Sequence, residues 1–119
     1  MKDFRKLNVW EKAHSLVIEI YRVTNNFPKS ETFGLTSQIR RASASIPANI
    51  AEGCGRDGEA DFARFLQMAL GSSSELEYHL LLAHDLNMLD ETFYDNLKDR
   101  VIELKRMLTS LIQKLRADS

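Results

Sequence analysis

The sequence predicts an all-α protein, a single antiparallel up-down-up-down four-helix bundle spanning residues 1–119. Three observations carry that expectation. Apolar residues recur at spacings of three and four through most of the chain, and no stretch reads convincingly as a strand. The helical stretches are joined by connections of only a few residues, which brings consecutive helices together as antiparallel neighbours. With 119 residues, 44% of them apolar, the chain can bury one real core, and no internal repeat or linker divides it.

The first helix is expected over about residues 8–26. Asn8 reads as its N-cap, with Glu11 completing a capping box. Trp10, Ala13, Val17, Ile20 and Tyr21 trace one face, and the polar Thr24 weakens that stripe near the end. Phe27-Pro28 stops the helix, because the residue before proline is pushed out of the α region.

The second helix, over about 33–52, organises the chain. Leu35, Ile39, Ala42, Ile46 and Ile50 make a core stripe. Ser37, Arg41, Ala44, Ala48 and Ala51 form a ridge of small residues on the opposite side, where a solvated face is normally long-chained and charged. Pro47 removes a backbone donor and crowds the Ser43 carbonyl, so a kink is expected there. Gly53 reads as the residue that ends the helix.

Gly53-Cys54-Gly55-Arg56-Asp57-Gly58 matches G-x-G-x-x-G, but a dinucleotide fingerprint follows a strand and this stretch follows a helix. It is read as a chain reversal, with Asp57, Glu59 and Asp61 favouring the start of the next helix. The other reading, an anion held by Arg56 and free amides, is the weaker one.

The third helix is expected over about 59–87, with Phe62, Phe65, Leu66, Ala69, Ser73, Leu76, Leu80 and Ala83 as its core stripe. Its far side carries Met68, Gly71, Tyr78, Leu82 and Leu86, which would face water in a monomer. The fourth is expected over about 91–115. Asp90 caps it, Leu89 and Tyr94 are placed as a staple, and Phe93, Leu97, Val101, Leu104, Leu108, Leu111 and Leu115 form a bundle seam. Arg116-Ala117-Asp118-Ser119 is expected to fray.

The formal net charge is −1, but residues 1–58 carry +3 and residues 59–119 carry −4. A polyanion should therefore meet the first half. Arg40, Arg22, Lys29 and Arg56 are the candidate nucleic-acid contacts. Arg41 lies on the small ridge and is read instead as pairing across a subunit contact with an acid such as Glu75. The candidate oligomer interface is Ser37, Arg41, Ala44, Ala48 and Ala51 with Met68, Gly71, Glu75, Tyr78 and Leu82. A single cysteine, Cys54, and the lack of a signal peptide or a spanning apolar run place the expected location in the cytoplasm, away from membranes.

No constellation points to an enzyme. Glu11-x-x-His14 occurs once, whereas a di-metal bundle site needs a second copy, so no metal is expected. Glu77 and His84 read as a polar contact fixing helix register rather than an acid–base pair. Cys54 lacks a neighbouring base and reads as a bystander thiol. Ser72-Ser73-Ser74 reads as small residues at a close helix crossing. Neither a cofactor nor a small-molecule substrate is expected.

Several segments together resemble one family. They are Phe4-Arg5-Lys6-Leu7-x-Val9-Trp10-x-Lys12-Ala13, Phe27-Pro28-x-x-Glu31-x-x-Gly34-Leu35, Gln38-Ile39-Arg40-Arg41-Ala42 running on to Ser45-Ile46-Pro47-x-Asn49-Ile50-Ala51-Glu52-Gly53, and Phe62-x-Arg64-Phe65-Leu66 running on to Gly71-Ser72-x-x-Glu75-Leu76-Glu77. They resemble the four-helix-bundle proteins encoded in intervening sequences of bacterial 23S ribosomal RNA genes, with the accessory variability proteins of diversity-generating retroelements as relatives. The resemblance implies a homopentameric ring without enzymatic activity, associated with RNA or with an RNA-handling partner such as a reverse transcriptase or ribonucleoprotein. The retroelement relatives are strongly basic, and this chain is not. The alternative is a protein-interaction scaffold with no nucleic-acid role.

Overall fold

The computed structural model describes residues 2–118, so Met1 and Ser119, the two ends of the expected domain, lie outside the described residues. The described residues form four α-helices, α1 Asn8–Thr24, α2 Leu35–Cys54, α3 Glu59–Asp85 and α4 Glu91–Ala117, with short 3-10 turns at Phe4–Lys6 and Lys29–Glu31. Among the described residues there is no strand.

In α1 the core row is Val9, Ala13, Leu16, Ile20 and Val23. The expected row was misphased: Trp10 and Val17 are only half-buried and Tyr21 is exposed. Apolar residues fill two adjoining rows of this helix, and periodicity alone does not say which row meets the core. The start also differs. The extended Leu7 occupies the cap position and accepts from Glu11 N at 3.1 Å, so Asn8 is the first helical residue and no side chain caps the turn.

The α2 stripe is buried as expected, and the helix runs unbroken through Pro47. Ile46, Pro47 and Ile50 are all buried, so packing offsets the hydrogen bond that proline removes. Gly53 does not end the helix, which continues to Cys54 with Gly55 as its cap. A Cβ at Gly53 would stand 2.8 Å from the Phe65 Cβ and 3.0 Å from the Phe62 Cδ1. The glycine is there because α2 and α3 approach closely.

All eight residues of the expected α3 stripe are buried. Two small residues help it pack: Ser73 is fully buried and returns its hydroxyl to Ala69 O at 2.9 Å. The helix ends two residues earlier than expected, where Asn87 adopts φ 61° and Met88 N donates back to Ala83 O at 2.9 Å. In α4, Asp90 accepts from Phe93 N at 2.8 Å, the expected cap. Phe93 itself is exposed, and Ile112 rather than Leu111 completes the buried seam. Arg116 and Ala117 remain helical rather than fraying.

Cross-links show how the helices run. Arg40 of α2 meets Tyr21 and Thr24 of α1, while Lys2, before α1, donates to Cys54 O at the far end of α2. Arg41 pairs with Glu75, and Gly53 faces Phe62 and Phe65. Glu77 meets Lys105 and His84 meets Glu91. Lys12 meets Glu103 and Ser15 meets Arg100. Each series climbs one helix as it descends the other, the order of an up-down-up-down bundle. The extents of 46 × 22 × 20 Å fit four roughly parallel rods, since a 27-residue helix is about 40 Å long.

Candidate functional site

The outward face of α2 and α3 is the first candidate. Between the Arg41–Glu75 rung and the Gly53–Phe62 rung, the antiparallel register puts Ala44 level with Ser72 and Ala48 level with Met68. Ser37, Ala48 and Gly71 are exposed, and Ala44 and Ala51 are half-buried. Met68 is 47% exposed and Tyr78 58%. Leu82 differs, since it is half-buried and packs on the core. Gly71 is the informative position. A Cβ there would meet nothing within 4 Å, yet glycine inside a helix costs about 1 kcal/mol relative to alanine. Among the described residues no close neighbour calls for a glycine there.

Arg41 does not wait for another subunit. Its guanidinium pairs with Glu75 of its own chain and also donates to Gln38 Oε1 at 2.9 Å. The acid expected from the sequence is the right one, but the pair is intramolecular, because the antiparallel register sets these two side chains side by side.

The basic candidates do not form one site. Arg40 is half-buried, donating from Nε to Thr24 Oγ1 at 2.8 Å and from a terminal nitrogen to Asn25 Oδ1 at 3.0 Å and Tyr21 O at 3.3 Å. Its guanidinium also lies over the Tyr21 ring. It fastens the C-terminal end of α1 through two side-chain oxygens and the Tyr21 carbonyl, which also accepts from Asn25 N. Arg22 pairs with Glu19, and Lys29 has no side-chain partner among the described residues. Arg56 sits at the other end of α2, paired with Glu52 and stacked on Phe65.

The remaining polar candidates resolve into structural contacts. Glu77 and His84 do not meet. Glu77 accepts from Lys105 at 2.8 Å, while His84 Nε2 lies 2.6 Å from Glu91 Oε2 and its ring stacks on Tyr94. The hydrogen bond to Glu91 is the main cause that raises the His84 pKa above its ordinary 6.5. Each residue therefore joins α3 to α4, a pairing that spacing within one helix does not reveal. Cys54 is buried, and burial pushes its thiol pKa up, away from thiolate chemistry. His14 stacks on Trp10. Among the described residues no group of three or more His, Cys, Asp or Glu is placed to hold a metal, and no helix is long and apolar enough to cross a membrane.

A cleft of about 910 Å³ opens at one end of the bundle, between α1 and the α3–α4 turn. Glu19, Arg22, His84, Asp85, Asp90 and Glu91 are its charged lining. No local pattern signals this cleft, since its walls come from segments far apart in the chain.

Comparison with known proteins agrees with this architecture. No curated protein matches the chain. A solved structure from Bacteroides thetaiotaomicron VPI-5482, determined at 1.70 Å and described as a protein with unknown function from the S23 ribosomal protein family, is 29% identical. It superposes with a TM-score of 0.79, over 87% of this chain and 97% of that one. The family model of the 23S rRNA-intervening sequence protein matches residues 5–110. The chain belongs to the 23S rRNA-intervening sequence protein family.

Proposed function

We propose that this chain is a non-enzymatic cytoplasmic assembly subunit, which associates with copies of itself through the outward face of α2 and α3. The observation that carries the reading is Gly71, an exposed helical glycine with open space around it, flanked by Met68 and Tyr78 on one side and the alanines of α2 on the other. Small residues let a second backbone approach, and the exposed apolar side chains give that approach a driving force. The resemblance to the family sets the expected number at five, arranged as a ring. Neither cofactor, metal nor small-molecule substrate enters this reading.

RNA, or an RNA-handling partner, is a second reading, favoured by one feature. Arg22, Lys29 and Arg40 lie at the same end of the bundle, where α1 ends and α2 begins. Arg40 is occupied with α1, which leaves as contacts Lys29 and Arg22, the latter exposed and held only by a surface pair with Glu19 that a phosphate can replace. A ring would multiply such a weak site by its subunit number. Sedimentation equilibrium of the wild type and of Ala48→Arg tests association. Retardation of a structured RNA at about 50 mM salt, lost in Arg22→Glu/Lys29→Glu, tests the second reading. No retardation leaves the chain a protein-interaction scaffold.

A further inference from the structure

On the side of the bundle away from the α2–α3 face, a groove of about 480 Å³ runs between the start of α1 and the C-terminal half of α4. Leu7, Val9, Met107 and Leu111 supply its apolar lining, and the charged residues along it are Arg106 and Lys114. Both are exposed, and neither side chain has an ion-pair or hydrogen-bond partner among the described residues. This is unusual in a chain where most cations are engaged: Lys12, Arg22, Arg41, Arg56, Arg64 and Lys105 all pair with acids. Lys6, next to the groove residue Leu7, is likewise without a side-chain partner. Two cations of the acidic second half that have no acid partner among the described residues, Arg106 and Lys114, thus share one apolar groove.

From this charge complementarity we infer that the groove docks an acidic amphipathic helix of a partner protein. Arg106 and Lys114 are eight residues apart, about 12 Å along α4. A helix lying alongside would reach both with carboxylates spaced at i and i+7 or i+8, on the flank of an apolar stripe. The groove is open along its length, which suits a helix that keeps its outer face in water better than an acyl chain that needs enclosure. The inference does not depend on self-association, because the α1–α4 side is opposite the face proposed to join subunits.

The test is fluorescence anisotropy with a synthetic helix of about 18 residues, carrying leucines on one stripe and glutamates on its flanks. Saturable binding to wild-type protein is expected, weakened at least about tenfold by Arg106→Glu/Lys114→Glu, whose helical circular dichroism should match wild type because both positions are exposed. A peptide with lysines in place of the glutamates should bind the double variant instead. The inference is overturned if the wild type does not bind at about 50 mM salt, if binding ignores the charge reversal, or if the lysine peptide fails to recover it. Loss of wild-type self-association in the double variant would also overturn it, assigning the groove to a second copy. Sedimentation of the same sample reads that outcome separately from the α2–α3 proposal.

Discussion

Arg40 Nε donates to Thr24 Oγ1 at 2.8 Å, and Thr24 Oγ1 in turn donates to Ile20 O at 2.7 Å. This relay fastens the C-terminal end of α1 to α2 through a buried hydroxyl. It changes what an arginine in the Arg40-Arg41 pair is for. A cation whose donors are spent on a helix end stabilises the fold first.

Arg40→Ala should therefore destabilise the protein by about 1.5–3 kcal/mol, the range for hydrogen bonds involving a charged group. Urea unfolding followed by circular dichroism measures it. An unchanged midpoint would show that the relay contributes nothing.

Two glycines should respond in opposite directions. Gly53→Ala gains helix propensity but drives a methyl into Phe62 and Phe65, so a net loss of about 1–3 kcal/mol is expected. Gly71→Ala meets nothing within 4 Å and should stabilise the isolated subunit by up to about 1 kcal/mol, while weakening self-association. Thermal unfolding and sedimentation on the two variants separate these effects.

His84 predicts a pH dependence at the α3–α4 corner. The hydrogen bond to Glu91 is the first cause of its raised pKa, and the neighbouring Asp85 acts in the same direction, against partial desolvation. A folded pKa above the unfolded value favours the protonated native state. The contribution is thus complete below the unfolded value near 6.5 and fades as pH rises through the folded value. The His84 ring signals, followed by NMR, should titrate above that of a free histidine, and Glu91→Gln should bring them back toward it.

How much of this was legible depended on how local each cause is. The α2 and α3 stripes were readable because their large apolar residues keep a single helical phase over many turns. The α1 stripe was not, since Trp10, Val17 and Tyr21 run beside Val9, Leu16 and Val23, and only packing selects the row. Asp90 was readable as a cap because capping acts within one turn, whereas the extended Leu7 displaced Asn8 from that role. Gly53 looked like a helix end because a stop and a close crossing use the same residue. Charge counted by halves does not say which cations are engaged: Arg40, Arg41 and Arg56 are spent on nearby groups, while Lys6 and Lys29 in the first half and Arg106 and Lys114 in the acidic half have no side-chain partner among the described residues.

Whether the α2–α3 face joins subunits is decided by sedimentation equilibrium on wild type and Ala48→Arg at micromolar concentration. The wild type should sediment as an oligomer, five subunits by the family resemblance. Ala48→Arg, which puts a long cation on an exposed position of the small ridge, should sediment as a monomer of 13.6 kDa with its helical circular dichroism retained. A wild type that is monomeric at that concentration, or an Ala48→Arg protein that assembles as well as wild type, would show that this face does not join subunits.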